Sequence, residues 1–155
     1  MISDKTNVLF IEDNDMDFEL AKRAFRLAKL NNRILRHATS DAALDMLEKN
    51  AAGTLRAKER PSLIFLDLNM PDLDGKEILR IIRSDETMKN IPIVILSGQG
   101  DQNTINTLYK MGANSFMVKP MNFDDLIAFF QLIREYWFKV MKLPDNLSTG
   151  NLLKD

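Results

Sequence analysis

Five short apolar runs alternate with stretches of helical periodicity, and that alternation is what most restricts how the chain can fold. The runs lie at residues 8–11, 33–38, 62–66, 93–96 and 115–118. After the first run, Phe18, Ala21, Phe25 and Ala28 recur on one helical face. Thr39-Ser40-Asp41 can cap a helix over residues 42–49. Residues 74–83 read as a helix with Ile78, Ile81 and Ile82 inward, and residues 104–111 as another with Gly112 as its C-terminal cap. A last helix is predicted from about residue 123 to about residue 141. Runs one, three and four are apolar on both faces, as strands of a parallel sheet covered by helices on each side must be. The second run is broken by charge, which suits an edge strand. The pattern predicts an α/β fold with a doubly wound, five-stranded parallel sheet. One domain is expected over residues 1–142, with residues 143–155 a loose tail. The segment 50–61, NAAGTLRAKERP, is longer than a compact connection needs.

Composition excludes several classes of function. Lys and Arg number 21 against 22 Asp and Glu, a net charge of -1 that lacks the concentrated basic face of a nucleic-acid binder. The chain has no cysteine, so thiolate nucleophiles, disulfides and cysteine-zinc sites are out. Charges in MISDKTNVLFIED stand where a signal peptide needs an apolar run, and no stretch is long and apolar enough to span a membrane. A cytoplasmic protein with neither nucleic acid nor membrane as partner is the expectation.

Ligands of an open parallel sheet bind beyond the carboxyl ends of its strands. The residues there are Glu12 and Asp13 after the first strand, Asp67 with Asn69 after the third, Ser97 with Gly98 after the fourth, and Lys119 with Pro120 after the fifth. Clustered carboxylates repel one another, and a hard cation such as Mg2+, which prefers oxygen ligands, relieves that repulsion. A cation held there can neutralise an incoming phosphoryl group, a lysine adds a point charge, and a hydroxyl can donate to one of its oxygens. A carboxylate can be the nucleophile and become an acyl phosphate. The residues describe phosphoryl transfer onto an aspartate. Within LIFLDLNMPDLDG, Asp72 only solvates a turn, and Asp74, with Glu77 three residues on, has the spacing of a capping box.

VLFIEDN, LIFLDLNMPDLDG, IVILSGQG and SFMVKP, in that order, resemble the receiver domain of bacterial response regulators. The resemblance covers residues from about 8 to about 141. It implies a flavodoxin-like (βα)5 fold with sheet order 2-1-3-4-5, which sets Asp13 beside Asp67. It implies that Asp67 accepts a phosphoryl group from a phosphohistidine on a sensor histidine kinase. Asp13 then matches the direct Mg2+ ligand, Glu12 its neighbour, and Asn69 the residue whose backbone carbonyl completes the metal site. Ser97 matches the switch hydroxyl and Phe116 the switch aromatic. Lys119 matches the phosphoryl-pairing lysine, with a bond to Pro120 that is typically cis. Phe116 has no hydroxyl where tyrosine is common, and Gly98 is smaller than the usual alanine.

Two other features bear on function. His37, the sole histidine, lies in the second strand on the wrong side of the site and reads as structural. In the last helix, Leu126, Phe130, Ile133, Trp137 and Val140 form one stripe, while Phe129, Leu132 and Tyr136 form a surplus second one. The second stripe is a candidate homodimer face, together with the fourth helix and fifth strand that commonly pair in receivers. The ending YWFKVMKLP and the long second loop resemble stand-alone receivers that serve phytochrome-type histidine kinases. A single-domain response regulator acting through protein contacts is expected. A haloacid-dehalogenase-like phosphatase is a second reading, though its motif needs an acid where Asn69 stands. A degenerate receiver that only binds partners is a third.

Overall fold

A computed structural model of the chain describes residues 5–71 and 73–144. Asp72, assigned above to a turn, and most of the expected tail lie outside the described residues. The main elements alternate strand and helix: β1 (Asn7–Ile11), α1 (Asp15–Leu27), β2 (Arg33–His37), α2 (Ser40–Ala51), β3 (Pro61–Asp67), α3 (Gly75–Ser84), β4 (Ile93–Ser97), α4 (Gln102–Lys110), β5 (Ser115–Val118) and α5 (Phe123–Ile133), with a short antiparallel pair, Asn69–Met70 and Leu73–Asp74, between β3 and α3. The five strands form one parallel sheet in the order β2-β1-β3-β4-β5, as the resemblance implies.

Local chemistry starts each of the five α-helices. Asn14, Thr39, Asp74, Asp101 and Asn122 each accept a backbone N–H of the first turn through the side chain, satisfying a donor that the helix leaves without a partner. Asp74 caps α3 by accepting from Lys76 N, while Glu77 turns to Arg80 rather than back to the cap, so the reciprocal half of the expected capping box is not made. Gly112, at φ 100°, ends α4 in the left-handed conformation that glycine accepts freely.

Strands β1, β3 and β4 are buried along their whole length, and the edge strand β2 is half-exposed. On one face of the sheet Phe10 stacks on Phe65 at 4.8 Å between ring centres, Phe25 of α1 meets Phe10 edge-on, Phe130 of α5 meets Phe65 edge-on, and Phe25 and Phe130 meet each other edge-on. The segment after α2 is not a plain loop. It contains a 3-10 turn (Ala57–Glu59), buries Leu55, and is held to the start of β1 because Asn7 donates to the carbonyls of Lys58 and Arg60 at 2.8 and 3.0 Å.

Two expectations for the last helix are corrected. Beyond Ile133 it continues as a π-helical stretch, Arg134–Val140, in which each turn holds more residues than an α-turn. The apolar face therefore rotates, so Trp137 and Phe138 are both buried and Val140, expected inward, is 73% exposed. Phe129, expected on the outer stripe, is buried, with its ring edge-on to Phe65 at 6.2 Å and tilted against Phe130 at 5.1 Å. Leu132 and Tyr136 are exposed as expected.

Candidate functional site

Sheet order decides which strand ends meet. β1 lies against β3 with Ile11 opposite Leu66, so Glu12 and Asp13 leave the sheet beside Asp67, the last residue of β3. Carboxylate oxygens of Glu12, Asp13 and Asp67 all lie within 4.8 Å of one another. Glu12 and Asp67 are buried and Asp13 is partly exposed. Three hard oxygen donors, with neither His nor Cys among them, suit a divalent cation of the Mg2+ or Mn2+ type.

Lys119 reaches this trio from the end of β5, across β4. Its backbone N–H donates to Ser97 O at 2.7 Å, which anchors the residue. Its ammonium donates to Glu12 Oε2 at 2.9 Å, Asp17 Oδ2 at 3.0 Å and Asp67 Oδ2 at 3.2 Å. The carboxylates are held from behind as well. Asn14 N–H donates to Glu12 Oε1 at 3.1 Å, and Asn69 N–H to Asp67 Oδ1 at 3.0 Å. The result is an open cleft of about 530 Å3 at the carboxyl edge, walled by Glu12, Asp13, Asp17, Asp67 and Lys119 among others.

Burial pushes the Glu12 carboxyl up to about 7, against the pull of the Lys119 hydrogen bond, and the Asp67 charge adds to the rise. Burial alone would lower Lys119, but its bonds to Glu12 and Asp17 and the charges of Glu12 and Asp67 outweigh that and raise it above the ordinary lysine range. The ammonium is thus firmly charged, and the acids around it are short of compensating charge.

The expected switch residues stand apart from the trio. Ser97 is buried, and its hydroxyl donates to Gln99 O at 2.6 Å and receives Asn69 Nδ2 at 3.4 Å. It lines a neighbouring cavity between the β3–α3 and β4–α4 connections rather than the acidic cleft. Phe116 is half-buried on β5. Its ring lies over Gly100 so closely that a Cβ there would sit 2.5 Å from Phe116 Cζ. The Phe116 N–H donates to the Tyr109 hydroxyl at 3.0 Å. Asn69 adjoins the cleft, supplying its N–H to Asp67. His37 ends the edge strand, where its carbonyl receives Glu12 N–H and burial lowers its pKa. The Lys119–Pro120 bond is trans, as there is no cis peptide bond among the described residues. That corrects the expected cis form, and the intrinsic preference between the two at an X–Pro bond is small.

Two contributors escaped the sequence reading. Asp17 sits in the first turn of α1 and binds Lys119, yet an acid at that position reads as ordinary helix-start chemistry. Its one signal was its nearness in sequence to Glu12 and Asp13, in the helix that starts beside them. Gly75 opens α3 directly under the site. A Cβ there would lie 3.0 Å from the backbone oxygen of Asp67 and from Leu68 Cα, so any larger residue would have to push α3 and the end of β3 apart by a few tenths of an ångström.

The fold and the acidic cleft together define the receiver class of two-component signalling proteins, which take their input from histidine kinases and are not classical enzymes. The chain belongs to the response regulator receiver domain family, whose sequence model matches residues 8–131. It is 33% identical over 137 residues, 88% of this chain and 86% of the relative, to the probable methanogenesis regulatory protein FilR2 of Methanothrix harundinacea. It is 29% identical over 147 residues to the response regulator Rcp1 of Synechocystis, covering 92% of this chain and 99% of that protein. Among solved structures, the phosphorylated cyanobacterial phytochrome response regulator RcpA superposes with a TM-score of 0.79 at 30% identity, over 91% of this chain and 99% of that one. The Mn2+-bound form of Rcp1 does so with a TM-score of 0.77 at 28% identity, over 90% and 99%.

Proposed function

We propose that the chain is a single-domain response regulator that accepts a phosphoryl group from a histidine kinase on Asp67 and signals through protein contacts. The observation that carries this reading is Asp67 itself, buried at the switch point with Lys119 Nζ 3.2 Å from one oxygen and two further acids within cation-sharing distance. A carboxylate oxygen of Asp67 attacks the phosphorus of a phosphohistidine. The P–N bond breaks, its electron pair stays on the imidazole, and Asp67 becomes an acyl phosphate. Asn69 N–H holds the other Asp67 oxygen and fixes the angle of attack. The Lys119 ammonium then pairs with a phosphoryl oxygen. Glu12, Asp13 and Asp67, with the Asn69 backbone carbonyl, would hold Mg2+, which supplies the positive charge that an incoming phosphoryl group requires.

Ser97 and Phe116 form the switch in this reading. The Ser97 hydroxyl leaves Gln99 O to donate to the phosphoryl group, and Phe116 repacks into the space it vacates. Residues 1–142 are the receiver unit and 143–155 its extension, of which Leu143 is buried. The cytoplasm is the expected location, and among the described residues no helix is long and apolar enough to cross a membrane. The near end-to-end match to Rcp1 and the likeness to RcpA favour a phytochrome-type kinase as the donor. Leu132 and Tyr136 support a homodimer through α4, β5 and α5, with Phe129 beneath that face rather than on it. The phosphatase reading is disfavoured by Asn69, which cannot act as the general acid that its chemistry needs.

Incubation with Mg2+ and acetyl phosphate tests the assignment. Intact-protein mass should gain one hydroxylamine-labile phosphate, and Asp67→Asn should gain none. An adduct that survives this substitution, or continuous turnover of phosphate esters, would refute the reading.

A further inference from the structure

The Lys119 ammonium has three donor hydrogens, and three carboxylates take them. Two of these, Glu12 and Asp67, belong to the cation-sharing trio, whereas Asp17 does not. Glu12 Oε1 and Asp67 Oδ1 are already engaged by the N–H groups of Asn14 and Asn69. A cation on the trio, or a phosphoryl group on Asp67, therefore draws on the oxygens that now hold Lys119. Asp17 is free of that competition.

Its position is also well determined. Asp17 N–H donates to the side chain of Asn14, the cap of α1, at 2.9 Å, and the helix N-terminus favours its negative charge. Arg36, which reaches the same loop, is itself engaged: it pairs with Asp15 at 2.6 Å and donates to the carbonyls of Glu12 and Asp13. We propose that Asp17 is a positioning residue, anchoring the Lys119 ammonium over the cleft while Glu12 and Asp67 turn to the cation and the phosphoryl group. Without that anchor, a lysine side chain with four rotatable bonds would leave the cleft whenever its other two partners were taken. The proposal rests on the phosphoacceptor reading for its purpose, but its test does not need phosphorylation.

The test is acylation of lysines by a limiting amine-selective ester, read by peptide mass, with exposed Lys110 as the internal reference. Parent, Asp17→Ala and Asp17→Asn proteins are compared in chelator and in millimolar Mg2+. Lys119 in the parent should stay protected in both. In the variants it should label about two- to fivefold faster in Mg2+, the range expected for losing one half-exposed ion pair. The increase should be smaller in chelator, where Glu12 and Asp67 still hold it. Unchanged Lys110 labelling and melting temperature show that the fold is intact. Equal labelling of Lys119 in parent and variants in Mg2+ overturns the anchor, as does rapid labelling of the parent. Failure of Asp67 to take phosphate from acetyl phosphate would instead overturn the functional reading and leave the labelling comparison standing.

Discussion

Lys119 and Asp67 meet across the intervening strand β4, with Nζ 3.2 Å from Oδ2, and the same ammonium serves buried Glu12. Lys119→Ala would leave two buried carboxylates facing each other without a cation. Breaking such a pair is costly, and because the lysine is partly exposed the expected loss is about 2 kcal/mol. Urea unfolding in chelator measures it. Mg2+ should recover part of the loss by replacing the missing charge. A variant as stable as the parent in chelator would mean that the acids are not in fact short of charge.

The raised Glu12 carboxyl predicts a pH dependence of definite sign. Between its ordinary 4.5 and about 7 the unfolded chain gives up this proton before the folded one does. The unfolded state thus binds fewer protons, and unfolding free energy falls as pH rises through that window, by at most about 3 kcal/mol from this group. Glu12→Gln should remove the slope, so the parent-minus-variant difference isolates it from His37, whose lowered pKa acts in the opposite direction. Mg2+ should flatten the parent curve near pH 7, since binding favours the ionised carboxylate.

Gly100 and Phe116 occupy one space. Gly100→Ala places a Cβ 2.5 Å from the ring and should displace it, at about 1–3 kcal/mol. The double variant Gly100→Ala, Phe116→Ala should be less destabilised than the two single losses added together. Strict additivity in thermal melts would show that the ring does not need the glycine.

The acids, the lysine and the sheet order were legible because they lie at strand ends, where a buried apolar run stops and a charge begins. Asp67 could be picked out from Asp72 and Asp74 in this way. Asp17 could not, because only the path of Lys119 across the sheet gives a helix-start acid a partner. Ser97 was correctly placed at a strand end, but its hydroxyl turns to Gln99 O, a choice made by the loop and invisible in one-dimensional spacing. Phe129 was misread because the buried face of the regular part of α5 takes both it and Phe130 against Phe65, and Val140 was misread for a geometric reason. Helical periodicity was assumed to stay at the α-helical value, and the π-helical stretch changes it. The 50–61 segment was recognised as unusual, but its attachment through Asn7 depends on a contact more than fifty residues away.

Leu132 and Tyr136, 70% and 55% exposed on the outer side of the last helix, carry the dimer prediction. Leu132→Asp with Tyr136→Asp should shift sedimentation from dimer to monomer without changing the melting temperature of the dilute protein. Phe129→Asp is not a useful probe, since it would bury a charge beside Phe65 and Phe130. A parent that sediments as a monomer at all concentrations would remove this face from the account.

Trapping the modified residue tests most directly whether Asp67 is the phosphoacceptor. After phosphorylation with acetyl phosphate and Mg2+, borohydride reduces an aspartyl phosphate to homoserine, which peptide sequencing by mass locates. Homoserine at position 67 and at no other aspartate is the predicted result. Homoserine at Asp13 or Asp17, or a stable phosphate on Ser97, would contradict it.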